Sequence, residues 1–69
     1  MFDLDLFATD LLVFRTKANL SRIKASEKIG VHQQTIYDIE ANRIKNPTIE
    51  TVLCVCNWIK QPINKYIII

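Results

Sequence analysis

The sequence predicts an all-α domain of five short helices. Two observations carry the prediction: apolar residues recur at spacings of three and four along most of the chain, and each such stretch is bounded by helix-start or helix-stop residues. Only the ends break the pattern. Met1 to Leu6 alternates apolar and acidic, and Tyr66 to Ile69 is aromatic and β-branched, so residues 1–6 and 66–69 can pair as a small two-stranded antiparallel ribbon. With 69 residues, 49% of them hydrophobic, the chain is expected to form one domain, 1–69, around a single core.

The elements follow in order. Phe7, Leu11, Phe14 and Ala18 form a buried stripe that predicts a helix from Phe7 to about Lys17 or Ala18, with Thr9 and Asp10 near its first turn, at the positive end of the dipole. Asn19 tolerates the left-handed conformation that closes a helix. Leu12 and Val13 fall off the stripe and are expected to be exposed. Ser21 is a good N-cap for a second helix, Arg22 to Ile29, which ends at Gly30, the one glycine of the chain. Ala25 and Ser26 supply the small inner residues needed for close packing. A third helix starts with His32 at its cap and runs to Glu40, placing Val31, Ile36 and Ile39 toward the core and Gln33, Gln34, Tyr37 and Asp38 outward. Asn42 is the next left-handed stop, and Arg43 to Pro47 is a basic loop whose proline prevents the helix from continuing. Thr48 caps a fourth helix, Ile49 to Ile59, expected to bury Ile49, Val52, Leu53, Cys56 and Ile59 and to expose Glu50, Thr51 and Asn57, with Trp58 closing the edge of the core. Pro62 opens a last helical turn through Lys65.

Several chemistries are excluded at this level. Two cysteines and one histidine do not supply the four ligands of a structural zinc site. Cys54 and Cys56, two apart on a helix, point about 200° from one another, so they cannot form a disulfide together and are read as reduced residues in or near the core. No apolar run reaches the length of a membrane span, and Met1-Phe2-Asp3-Leu4-Asp5 lacks the basic start of a secretory signal, so a cytoplasmic protein is expected. The single histidine has no nucleophile or second acid beside it. It reads as a helix cap or phosphate contact, and the scattered acids assemble no catalytic group, so no enzyme activity is expected.

The charge is suggestive by its placement. The net charge is +2, with Asp3, Asp5 and Asp10 gathered at the N-terminus and Arg22, Lys24, Arg43 and Lys45 flanking the third helix. At the first turn of that helix, Gln33 and Gln34 each carry an amide that donates and accepts at once, the chemistry that reads an adenine edge bidentately in a major groove.

On these residues the chain resembles the helix-turn-helix family of phage repressors and Cro proteins, also called the xenobiotic-response-element type. The resemblance runs from about Phe7 to Tyr66. It rests on Leu20-Ser21 opening the second helix, the small Ser26, Gly30 four positions later, Val31, Ile36, Ile39-Glu40, and the run Asn46-Pro47-Thr48-Ile49-Glu50-Thr51-Val52-Leu53. It implies the lambda-repressor-like helix-turn-helix fold, with the third helix in the major groove of double-stranded DNA. Carried over by position, Gln33 and Gln34 take the base-reading places, with Tyr37 and Asp38 as secondary readers. Ser21, Arg22, His32, Thr35, Arg43, Lys45, Asn46 and Thr48 fall where the family contacts the DNA backbone. Arg15 and Glu40 match a structural salt bridge joining the first helix to the end of the reading helix.

The chain departs from the family at Asn19 and Asn42, where glycine is usual, at Arg22, usually Gln, and at Lys60-Gln61-Pro62. Asp38 is an acid that accepts from a cytosine amino group and is repelled by phosphate. The resemblance implies a homodimeric transcriptional repressor on a palindromic operator, nearer to Cro-like single-domain regulators than to two-domain repressors, with no cofactor and no small-molecule ligand. The competing reading is a protein-interaction module of the same fold, such as an antitoxin or partner-binding subunit, using Leu12, Val13 and the Ile-rich tail.

Overall fold

The computed structural model describes residues 2–44 and 46–68. These form α1 (Leu4–Lys17), α2 (Arg22–Ile29), α3 (Gln33–Glu40) and α4 (Ile49–Ile59), followed by one 3₁₀ turn, Ile63–Tyr66. The five expected helices are therefore four α-helices and a single tighter turn. Among the described residues the terminal ribbon amounts to one antiparallel bridge, Phe2 with Ile67; Met1 and Ile69, also assigned to it, lie outside them.

The expected strand at residues 1–6 is corrected by α1, which begins at Leu4 rather than Phe7. Asp3 is the reason. Its carboxylate accepts the Leu6 N–H at 3.1 Å, satisfying a first-turn donor. Phe2 stands just before this cap and packs edge-on against Phe7, with ring centroids 5.2 Å apart. An apolar residue before the cap gripping one in the first turn is a hydrophobic staple, and it fixes the entry of the chain. The alternation of acids and apolar residues is thus a cap followed by the acidic Asp5 at the dipole's positive end. Thr9 and Asp10 consequently fall mid-helix instead of in the first turn, where the Thr9 hydroxyl donates to the Asp5 carbonyl at 2.9 Å.

The remaining boundaries follow local chemistry. Ser21 Oγ accepts the Lys24 N–H at 3.2 Å, and Thr48 Oγ1 accepts the Thr51 N–H at 3.3 Å. Gly30 ends α2 at φ 90°, donating its N–H to the Ser26 carbonyl at 2.9 Å. Asn19 and Asn42 adopt the left-handed region at φ 58° and 59°, and Lys60 does the same after α4 at φ 58°.

Phe7 and Leu11 of α1, Ala25 of α2, Ile36 of α3, Val55 of α4 and Tyr66 are fully buried and define the core. Two expectations for α4 are corrected: Ile49 and Leu53 are 62% and 51% exposed, while Val55, not assigned to the core from sequence, is buried completely. The core-facing stripe is Val52, Val55, Cys56 and Ile59. Ile49 and Leu53, four apart, form a separate row along the helix. Ala18 is also corrected: it is the exposed C-cap of α1 rather than part of its stripe. Phe14 is half-buried and meets Trp58 edge-on, with centroids 4.8 Å apart, closing one side of the core. Neither cysteine is in a disulfide; Cys56 is buried and Cys54 half-buried, and burial raises the Cys56 thiol pKa above its ordinary value.

Tyr66 anchors the end of the chain. Its ring meets both Phe7 and Phe2, at centroid distances of 5.2 and 5.7 Å, and its hydroxyl donates to Asp10 Oδ2 at 2.8 Å. Lys65 Nζ lies 2.8 Å from the same oxygen. The Asp3 N–H donates to the Tyr66 carbonyl, so both ends of the chain are pinned to α1. Among the described residues no helix is long and apolar enough to cross a membrane.

Candidate nucleic-acid interface

The α2–turn–α3 unit rests on one side chain. Glu40, at the end of α3, has a side chain only 4% exposed and accepts two hydrogen bonds from Arg15 of α1, Nε to Oε2 at 2.6 Å and Nη2 to Oε1 at 2.9 Å. Such a fork fixes orientation as well as distance. Arg15 Nη1 donates to the Leu20 carbonyl at 2.9 Å, so the same guanidinium holds the link between α1 and α2. Hydrogen bonding to Glu40 raises the Arg15 pKa, against the opposing effect of burial. Arg22, the first residue of α2, also approaches Glu40, Nε to Oε1 at 3.4 Å, with its own side chain 47% exposed. One buried carboxylate therefore ties α3 to both α1 and α2.

With α3 held this way, its first turn faces out. Gln33 and Gln34 are exposed, and His32 before them caps the helix, with Nδ1 accepting the Gln34 N–H at 3.0 Å. That bond occupies Nδ1 as an acceptor and leaves Nε2 as the ring's N–H donor. Gln34 Nε2 donates to Asp38 Oδ1 at 3.0 Å, one turn along the same face. The amide of Gln34 is thereby oriented, yet it retains one N–H and its carbonyl oxygen, the pair that a bidentate base contact requires. Asp38 also receives the Arg43 N–H on its backbone carbonyl, at 2.8 Å, which fastens the following loop to α3.

Tyr37 of α3 is half-buried. The Arg22 guanidinium carbon lies 4.8 Å from its ring centroid and that of Arg43 lies 5.6 Å away, both within cation–π range. Arg22, Gln33, Gln34 and Tyr37 line one shallow depression, and Arg15, Ser21, Arg22, Ile23 and Gln33 line another. The structure thus brings Ser21, Arg22, Gln33, Gln34 and Tyr37 onto one surface, adjoined by Asp38 and Arg43. His32 and Thr35 border a different depression, shared with Glu50, Thr51 and Leu53 of α4. Asn46 and Thr48 are exposed in the approach to α4, where Thr48 serves as the cap. Lys45 lies outside the described residues.

Three relationships escaped the sequence reading. One is the second arginine on Glu40. Another is the clustering of both arginines at Tyr37. The last is the bond from Asn42 Nδ2 to Asp5 Oδ1, at 2.6 Å, which fastens the end of α3 to the start of α1. Of these, only the presence of Asn42 in a left-handed stop gave any signal, since its side chain is then free to reach across.

Two short helices joined at a left-handed glycine, the second presenting a polar first turn between arginines, define a helix-turn-helix unit. Residues 13–53 match the helix-turn-helix family, and the chain belongs to it, in its Cro/repressor type. The family is one of DNA-binding transcription regulators and is generally non-enzymatic. No curated protein matches the chain significantly.

Proposed function

We propose that the protein is a homodimeric repressor that reads a palindromic operator with the first turn of α3. The observation that carries this reading is the presentation of Gln33 and Gln34, exposed side by side on a helix fixed at its far end by Glu40. Rigid placement of amides is what bidentate base recognition needs, because a small misalignment forfeits both bonds. Asp38 orients Gln34 and borders the base pairs one turn further along, while the ring of Tyr37 stands beside the two arginines. Ser21, Arg22, His32, Thr35, Arg43, Lys45, Asn46 and Thr48 contact phosphates on either side. Pairing of two copies about a two-fold axis matches two such helices to two half-sites one helical turn apart. On this reading the protein works in the cytoplasm, at the DNA it controls.

The test is selection of bound duplexes from a random DNA pool by the wild type and by the Gln33→Ala, Gln34→Ala double variant. A palindromic consensus seen only with the wild type supports the reading, including the dimer. A consensus unchanged in the double variant removes both glutamines from base recognition. The second reading, an interaction module of the same fold, draws on Leu12 and Val13, adjacent on α1 and 42% and 44% exposed. It is favoured if the folded wild type enriches no duplex.

A further inference from the structure

We infer that Tyr37 is a positioning residue for DNA binding: the faces of its ring hold Arg22 and Arg43 beside the reading helix, and its hydroxyl reads no base. The inference rests on the proposed DNA reading and deepens it. Arg22 opens α2 and Arg43 follows α3, so they are remote in sequence. Both guanidiniums nonetheless come within cation–π distance of one ring, at 4.8 and 5.6 Å. Few side chains could collect them, since two cations repel one another and neither can accept a hydrogen bond from the other. An aromatic face attracts both without neutralising either; the one carboxylate paired with Arg22, Glu40, is shared with Arg15, which holds it by two shorter bonds.

The remaining bonds of Arg22 fit this role. Its Nε is directed to Glu40 at 3.4 Å, which leaves the two terminal nitrogens of a half-exposed guanidinium for an incoming oxyanion. Arg43 is anchored through its backbone N–H to the Asp38 carbonyl, so its side chain swings from a fixed point onto the ring. The ring thus makes two flexible arginines into a preorganised pair, which reduces the ordering required on binding. Because Tyr37 borders the same depression as Gln33 and Gln34, the positions of the arginines are set relative to the amides.

The experiment compares Tyr37→Phe with Tyr37→Leu. Duplex affinity is measured at several salt concentrations, on the consensus selected by the wild type, after thermal melts establish that both variants fold. Tyr37→Phe is expected to keep the affinity within about twofold and the consensus unchanged, because the ring faces remain. Tyr37→Leu is expected to keep the consensus but bind about 5- to 30-fold more weakly, as two cation–π contacts are lost. In the Tyr37→Leu background, Arg43→Ala should then weaken binding less than it does in the wild type, the non-additivity that marks residues acting together.

A loss with Tyr37→Phe equal to that with Tyr37→Leu, or a shifted consensus with either, overturns the inference and assigns base reading to the side chain. Strict additivity with Arg43→Ala overturns it also. A side-chain NMR spectrum of the DNA-free protein separates its failure from that of the DNA reading. Ring-current shifts on the Arg22 and Arg43 methylenes, kept by Tyr37→Phe and lost by Tyr37→Leu, support the platform. Their absence from the wild type sinks the platform even if the protein binds DNA. Absence of duplex binding by the wild type removes the DNA reading and the positioning role with it.

Discussion

Glu40 and Arg15 form a forked ion pair, at 2.6 and 2.9 Å, between residues 25 apart in sequence, and the carboxylate that closes it is 4% exposed. Neither partner is well tolerated alone. Removing Arg15 leaves Glu40 buried with only the longer Arg22 contact, and removing Glu40 leaves the Arg15 guanidinium buried against a lone carbonyl. Arg15→Met and Glu40→Leu are each expected to destabilise the fold by about 2 to 4 kcal/mol in urea melts. The double variant should recover much of that loss, since two apolar side chains can replace a buried pair. It should not recover DNA affinity, because the fork also sets the orientation of α3. Full recovery of binding in the double variant refutes the orienting role.

Asp10 gives the fold a dependence on acid. Burial pushes its carboxyl pKa up, but hydrogen bonds from Lys65 and Tyr66, together with the charge of Lys65, more than offset this and hold it below the ordinary 3.8. The unfolded chain then takes up the proton first, so the Asp10 contribution is complete above the ordinary carboxylate range and is lost as pH falls through the lowered folded value. Tyr66 acts oppositely. Burial, then the bond to Asp10, raises its phenol pKa, so its contribution is present below the ordinary 10.0 and is lost as pH rises through the folded value. Asp10→Asn should flatten the acid limb of the stability profile and cost about 1 kcal/mol at neutral pH, a modest figure because Lys65 is partly solvated. Melts from about pH 3 to 7 check it, with an unchanged acid limb counting against the assignment.

The row formed by Ile49 and Leu53 should be indifferent to polarity. Ile49→Gln with Leu53→Gln is expected to change stability by less than about 0.5 kcal/mol per site, the range of ordinary surface substitutions. Val55→Ala, two residues beyond Leu53 on the opposite face and fully buried, should cost about 2 kcal/mol. A large loss from the glutamine pair places those residues in a packed interface in solution.

Gly30 has space but no conformational latitude. A Cβ built there meets nothing within 4 Å, so the penalty for Gly30→Ala comes only from φ 90° and should be about 1 to 2 kcal/mol. Chemical denaturation measures it. A neutral result means that the turn relaxes out of the left-handed region.

Legibility in the sequence tracked the range of each interaction. Ser21, His32, Thr48 and Gly30 are recognisable because a cap or a left-handed stop acts within three or four residues, and α2, α3 and α4 have the bounds their sequences predict. The start of α1 was misread for a comparable reason: six residues of alternation suit a strand, but Asp3 with Phe2 and Phe7 makes a cap and staple whose meaning depends on Phe7 being helical already. The burial of α4 failed differently. Ile49, Val52, Leu53, Val55 and Cys56 are all apolar, so spacing alone does not say which edge of a wide stripe meets the core. The helix itself was plain and its rotation was not. At the interface, the exposure of Gln33 and Gln34 was readable from helical period. The meeting of Arg22, Arg43 and Tyr37 was not, because it brings the start of α2 and the segment after α3 onto one ring of α3.

The bridge between Phe2 and Ile67 has a consequence for gene order. A domain in which Phe2 and Ile67 lie side by side approximates a closed loop with one cut, and the site of a cut is a matter of encoding. A short linker could join the segments that carry Phe2 and Ile67, and the chain could be opened after Lys60 instead, where the left-handed turn separates α4 from the 3₁₀ turn. In such a permuted protein the segment Ile63 to Ile67 would be translated ahead of α1. Tyr66 would then precede Asp10, its hydrogen-bond partner, by a short stretch of chain instead of following it by nearly the whole domain, and a long-range contact would become a local one.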